Sequence, residues 1–163
     1  MKALVTVVEP EEVDVVVEAS PDIVDIKNPE EGSLGAPTPN VLENILDMLP
    51  PGTETSVAVG DVPDLPGTVA MAVRGASEYD VDYIKVGLKG PETEEEAFDI
   101  VEGAVEAAGE EQSVVVAGYA DHQKAGAVEL EKIPRGRCLT LKAGGRHDSD
   151  RYRGVRFNYM AVE

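Results

Sequence analysis

Short β-branched runs alternate with longer stretches of helical character along most of this chain. The runs cover residues 3–8, 22–27, 55–60, 82–88 and 113–117, and the stretches between them cover 11–19, 41–49, 67–79 and 94–108. Apolar runs this short, bounded by Gly or Pro, predict buried strands. Strands separated by helices are parallel, and apolar parallel strands need helices to cover them. A doubly wound sheet and a (β/α) barrel both satisfy that pattern. The first turn, Val8-Glu-Pro-Glu-Glu12, carries no glycine-rich phosphate loop, which counts against a nucleotide-binding doubly wound fold.

The local signals agree with this alternation. Pro10 stands just before the first helical stretch, and Thr93 is placed to cap the last one. Ile100, Val101, Ala104, Val105 and Ala108 give that helix an apolar stripe. Glu94, Glu95, Glu96 and Asp99 suit its N-terminal half and form a solvated face, not a metal site. With two Phe, five Tyr and no Trp, the core must be built from Val, Ile, Leu and Ala. A net charge of −18 argues against nucleic acid and anionic membranes as partners. Cys138 is the single cysteine, so no disulfide forms within the chain. No apolar run is long enough to span a bilayer and no signal peptide precedes the first strand, so a cytoplasmic protein is expected.

Two lysines stand out against this background. Lys27 ends the run Asp22-Ile-Val-Asp-Ile-Lys27, and Lys85 follows Asp82-Tyr-Ile. Successive strand residues point to opposite faces. Ile23, Asp25 and Lys27 therefore share one face, and Tyr83, Lys85 and Gly87 share another, opposite Ile84, Val86 and Leu88. In a barrel the apolar faces would meet the helices and the polar faces would line the interior, where alternate strands contribute to one layer. Strands two and four would then bring Lys27 and Lys85 together, with Asp25 one step deeper. An amine between apolar walls and beside a second amine gives up its proton more readily, and a neutral amine is what imine chemistry on a carbonyl requires. Asp25 would hold an ammonium or relay a proton. The alternatives are solvated strand-end lysines guarding an edge, and a purely structural Asp25 partner for Lys27.

Several strings carry a resemblance, in order along the first 128 residues. They are Asp22-Ile-Val-Asp-Ile-Lys-Asn-Pro-Glu-Glu-Gly-Ser-Leu-Gly-Ala36, Val59-Gly-Asp-Val-Pro63 with Pro66-Gly-Thr68, Asp82-Tyr-Ile-Lys-Val-Gly-Leu88, and Ala117-Gly-Tyr-Ala-Asp121 with Gly126-Ala-Val128. Together they resemble the (5-formylfuran-3-yl)methyl phosphate synthase family of methanogenic archaea. The resemblance implies the α/β class and a (β/α)8 TIM barrel. It implies a lyase that condenses two glyceraldehyde 3-phosphate molecules into a phosphorylated furan aldehyde, a methanofuran precursor. It places the Schiff-base residue on Lys27 and the proton acceptor on Lys85, with Asp61 and Asp121 beside the substrate. No cofactor is expected. The partner is a small phosphorylated aldehyde. Gly32-Ser33-Leu34-Gly35 would present backbone N–H groups to a phosphate, or need its glycines only for turn geometry.

The chain departs from that family after about residue 128. Eight of its 14 Lys and Arg lie in residues 129–163 with five acids, whereas residues 1–128 hold the other six and 27 acids. The family's later Asp-Thr-Ala-x-Lys strand and its Gly- and Arg-rich phosphate loop are absent. Enrichment in Arg, Gly, Ser and His is what a GC-rich gene yields in another reading frame. Residues 1–128 are thus expected to be an incomplete barrel of about five parallel strands, followed by an atypical, irregular basic tail. A truncated or frameshifted gene is one origin; a short member that completes its site as a homo-oligomer is the other. A catalytically dead fragment or a generic Schiff-base aldolase would share the sequence features. His122 reads as a surface histidine, and Cys138 and His147 make no metal site.

Overall fold

The structure is a computed structural model and describes residues 2–108 and 112–133. Five strands form one parallel sheet: β1 (Leu4–Val7), β2 (Ile23–Ile26), β3 (Glu54–Asp61), β4 (Tyr83–Gly87) and β5 (Ser113–Ala117). Helices α1 (Val13–Ala19), α2 (Pro39–Met48), α3 (Pro66–Ala76) and α4 (Glu94–Ala107) connect them in turn, as the alternation predicts. A one-turn helix α5 (His122–Ala125) and 3-10 turns at Pro10–Glu12, Pro29–Glu31 and Leu130–Lys132 are additional. Each is too short to leave a periodic pattern in the sequence. The expected irregular tail lies, from Pro134 on, outside the described residues, as do Cys138 and His147.

The strand order is β1-β2-β3-β4-β5, without reversal. A doubly wound sheet reverses at a switch point, so that alternative is set aside. Right-handed crossovers that always step the same way keep every helix on one side of the sheet. The core shows this. Val24, Ile26, Val57, Ile84, Val86, Val114 and Val116 pack in one cluster with Val13, Val16, Ile45, Val69, Val73, Ile100 and Ala104 of the four helices. Ala58 and Ala117 face the other way and form a separate small cluster with Leu34. Among the described residues the sheet is not closed; it ends at β1 and β5.

Two aspartates fix the lower ends of the strands. Asp22, just before β2, accepts the N–H of Ala3 at 2.6 Å, and Asp82, just before β4, accepts that of Thr55 at 2.8 Å. Each satisfies a backbone donor at the start of the preceding strand. At α4, Thr93 is the expected N-cap, and with Glu96 it forms a capping box: Glu96 N–H donates to Thr93 Oγ1 at 3.2 Å, and Thr93 N–H to Glu96 Oε2 at 3.1 Å. The backbone N–H groups of Thr93 and Glu92 hold the Glu96 carboxyl below its usual range. Among the described residues no helix is long and apolar enough to cross a membrane.

Candidate active site

The face without helices is polar at its centre. Asp25 lies in register with Thr6 on one side and Ser56 on the other. All three neighbouring donors converge on it. Thr6 Oγ1 donates to Asp25 Oδ2 at 3.3 Å, Ser56 Oγ donates to Oδ1, and Lys85 Nζ donates to Oδ2 at 2.5 Å. Lys85 pairs in register with Ala58, two residues above Ser56, so its long side chain reaches back down the sheet to Asp25. Asp25 is 1% exposed and Lys85 2%. Burial pulls the Lys85 amine below its ordinary value of 10.5 and outweighs Asp25, which acts in the opposite sense; the charge of Lys27 lowers it further.

Lys27 sits one residue past β2 and is half-buried, so the two lysines are less alike than their sequence contexts suggest. Its Nζ donates to the carbonyl oxygen of Ser33 at 3.2 Å. Residues 28–35 form a closed loop. Asn28 N–H donates to Gly35 O at 2.8 Å, and Asn28 Oδ1 accepts from Glu30 N–H at 3.1 Å. Gly32 has φ +122°, which favours glycine, and a Cβ on Gly35 would lie 2.1 Å from Asn28 O. Both glycines thus serve the turn. Their own N–H groups are donated within it, Gly32 to Pro29 O at 3.2 Å and Gly35 to Gly32 O at 3.0 Å. Leu34, fully buried with Ala58 and Ala117, anchors the loop on the helix-free face.

Asp61 reaches the same face by a bulge. Ala58 pairs with Lys85, but the next pair is Asp61 with Gly87, so β3 spends three residues where β4 spends two. Gly60, at φ +104°, absorbs the irregularity. The odd residue reverses the alternation and turns Asp61 toward Gly87; a Cβ on Gly87 would fall 1.7 Å from Asp61 Oδ1. Tyr119, just past β5, donates its hydroxyl to Asp61 Oδ2 at 2.6 Å and lies 2.8 Å from Ser33 Oγ. Asp61 Oδ1 is buried and has no hydrogen-bond partner among the described residues. Burial first, then the Asp61 acceptor, raises the Tyr119 phenol far above its ordinary value, so it stays protonated.

The fold therefore gathers Asp25, Lys27, Ser33, Asp61 and Lys85, from β2, the loop after it, β3 and β4, on one face of the sheet. Gly35 lies buried beneath the loop; Gly32 and Asp121 are exposed at its rim. Asp121 is close enough for its charge to help keep Tyr119 protonated. His122 is partly exposed, 3.9 Å from Glu129. Among the described residues no three His, Cys, Asp or Glu side chains converge to hold a metal ion. Tyr119 was not singled out from the sequence. Its signals in the sequence are its place directly after an apolar strand and inside the Ala117-Gly-Tyr-Ala-Asp121 string.

Residues 3–139 match the family model described as 4-HFC-P synthase. The chain belongs to that family. Proteins named (5-formylfuran-3-yl)methyl phosphate synthase are similar to it. The one from Methanopyrus kandleri is 46% identical over 136 residues, covering 82% of this chain and 57% of the relative. That from Methanothermobacter thermautotrophicus is 44% identical over 137 residues, covering 83% and 58%. One from Methanococcus maripaludis is 48% identical over 122 residues, covering 73% and 52%. The chain thus spans about half the length of the curated relatives it matches. All the site residues lie inside the family match, which runs past Val128 to residue 139.

Proposed function

We propose that this chain is a Schiff-base lyase that condenses two glyceraldehyde 3-phosphate molecules into (5-formylfuran-3-yl)methyl phosphate, a methanofuran precursor. Its sheet would be the first five strands of a (β/α) barrel. The reading is carried by one observation: a buried Lys85–Asp25 pair lies on the face that Lys27 overhangs, near enough for the charge of Lys27 to act on Lys85. The names of the relatives supply the product.

Neutral Lys27 Nζ attacks the carbonyl carbon of one triose phosphate. The carbinolamine loses water and leaves an iminium. Lys85, whose proton is loosened by burial, takes the proton from the carbon next to the iminium and gives an enamine. Asp25 holds the resulting ammonium in place. A nucleophilic carbon of this adduct attacks the carbonyl of the second triose phosphate, and a proton passes to the new alkoxide. Elimination of one phosphate, ring closure, dehydration and hydrolysis of the imine complete the cycle. Two triose phosphates lose one phosphate and two waters in all, so no oxidant or reductant is needed. Asp61 and Asp121 are proposed to receive substrate hydroxyls, since carboxylates repel a phosphate. The loop shaped by Gly32 and Gly35 would border the phosphate.

The test is to incubate the protein with glyceraldehyde 3-phosphate and follow furan absorbance and released phosphate together. Equal amounts of both are expected. Phosphate without furan would contradict the condensation. Among the described residues the sheet ends at β1 and β5, which favours a second reading, a barrel fragment that is inactive unless two copies complete the site. Turnover per chain that rises with protein concentration would point to paired copies. Imine formation without either product would point to the inactive fragment or to a plain aldolase.

A further inference from the structure

We infer that Tyr119 is a positioning residue for Lys27, acting through the backbone of Ser33. The inference rests on the assignment of Lys27 as the imine-forming residue. Tyr119 has one hydroxyl proton, and it goes to Asp61 Oδ2, 2.6 Å away. The hydrogen bond between Tyr119 and Ser33, at 2.8 Å, must therefore run from the Ser33 hydroxyl to the Tyr119 oxygen. Ser33 is thus tied through its side chain while its carbonyl accepts from Lys27 Nζ. The tie has a function because the next residue back, Gly32, sits at φ +122° and gives the Ser33 peptide little intrinsic restraint.

The chain of contacts Asp61–Tyr119–Ser33–Lys27 bridges the ends of β3, β5 and β2. Tyr119 is 6% exposed, so water does not readily replace its hydroxyl. When Lys27 becomes an iminium, its nitrogen keeps a single N–H. That proton can still go to the Ser33 carbonyl, which then fixes the rotation of the imine and the face of the substrate that Lys85 meets. Neither the hydroxyl of Tyr119 nor that of Ser33 needs to touch substrate for this.

The experiment measures the rate at which glyceraldehyde 3-phosphate and cyanoborohydride place a stable adduct on Lys27, followed by intact mass and peptide mapping. Tyr119→Phe and Ser33→Ala remove the two ends of the tie and leave the Ser33 carbonyl in place. Each is expected to slow the limiting rate by about fivefold to tenfold, the scale of one hydrogen bond, with the half-saturating aldehyde concentration unchanged. The double variant should be no slower than the slower single, because both remove one interaction. If Tyr119→Phe fails to fold, Ser33→Ala alone carries the test through the same split. Wild-type rates in both single variants would overturn the inference and leave Lys27 standing, and so would losses that multiply in the double variant. No adduct on Lys27 in the unaltered protein would remove the Lys27 assignment, and this inference with it.

Discussion

Lys85 Nζ and Asp25 Oδ2 are 2.5 Å apart, in a place where the two side chains are 2% and 1% exposed. Their surroundings are unequal. Asp25 also accepts from Ser56 and Thr6, whereas Asp25 is the hydrogen-bond partner of Lys85 among the described residues. Removing the carboxylate leaves a buried ammonium without its counter-charge; removing the amine leaves a carboxylate that still has two donors. Asp25→Ala should therefore destabilise the protein by about 3–5 kcal/mol in urea unfolding, and Lys85→Met by less. The double variant should be more stable than Asp25→Ala alone. Equal costs for the two single changes would mean that Ser56 and Thr6 do not support the carboxylate.

The same pair sets a titration. Lys85 holds its proton less tightly in the folded chain than the ordinary 10.5, because burial prevails over Asp25. Between the folded value and 10.5 the unfolded chain binds more protons at this site. The contribution of Lys85 to stability thus rises with pH through that window. Asp25→Asn removes the influence that raises the amine and should shift its titration to still lower pH. Lys27→Gln removes a nearby positive charge and should shift it upward. NMR of lysine labelled next to Nζ reads both shifts directly. A Lys85 signal titrating at or above 10.5 would contradict the burial argument.

The alternation of the strands made Asp25, Lys27 and Lys85 legible as neighbours, since facing is local and strictly periodic. What stayed hidden was not periodic. The bulge at Gly60 breaks the alternation, so the position of Asp61 could not be read by counting from Ala58. Tyr119 matters through contacts 86 and 58 residues away in sequence, with Ser33 and Asp61, and no local pattern announces these. The two lysines looked equivalent because both follow short β-branched runs. They differ because β2 stops at Ile26, one residue short of Lys27, whereas Lys85 is inside β4.

Glycines on and off the site should respond in opposite ways. A Cβ on Gly87 would sit 1.7 Å from Asp61 Oδ1 and 2.9 Å from Leu34 Cδ1. Gly87→Ala must push both aside and should cost about 1–3 kcal/mol, the range for overpacking a filled site. Gly75, in the last turn of α3, has no positive φ, and among the described residues nothing lies within 4 Å of where its Cβ would stand. Gly75→Ala should stabilise by about 0.5–1 kcal/mol. Urea midpoints of the two variants check the contrast. A neutral Gly87→Ala would mean that Asp61 does not lie over that position.

In the proposed mechanism Lys27 carries the imine. Glyceraldehyde 3-phosphate and borohydride, added to the whole chain, should fix an adduct that peptide mass mapping places on the Lys27 peptide. Lys27→Arg keeps the charge but supplies no neutral amine, and should abolish the adduct. Lys85→Met should leave trapping at Lys27 detectable, since Lys85 is proposed to act after the imine has formed. Label on Lys2 or Lys124 with none on Lys27 would contradict the assignment.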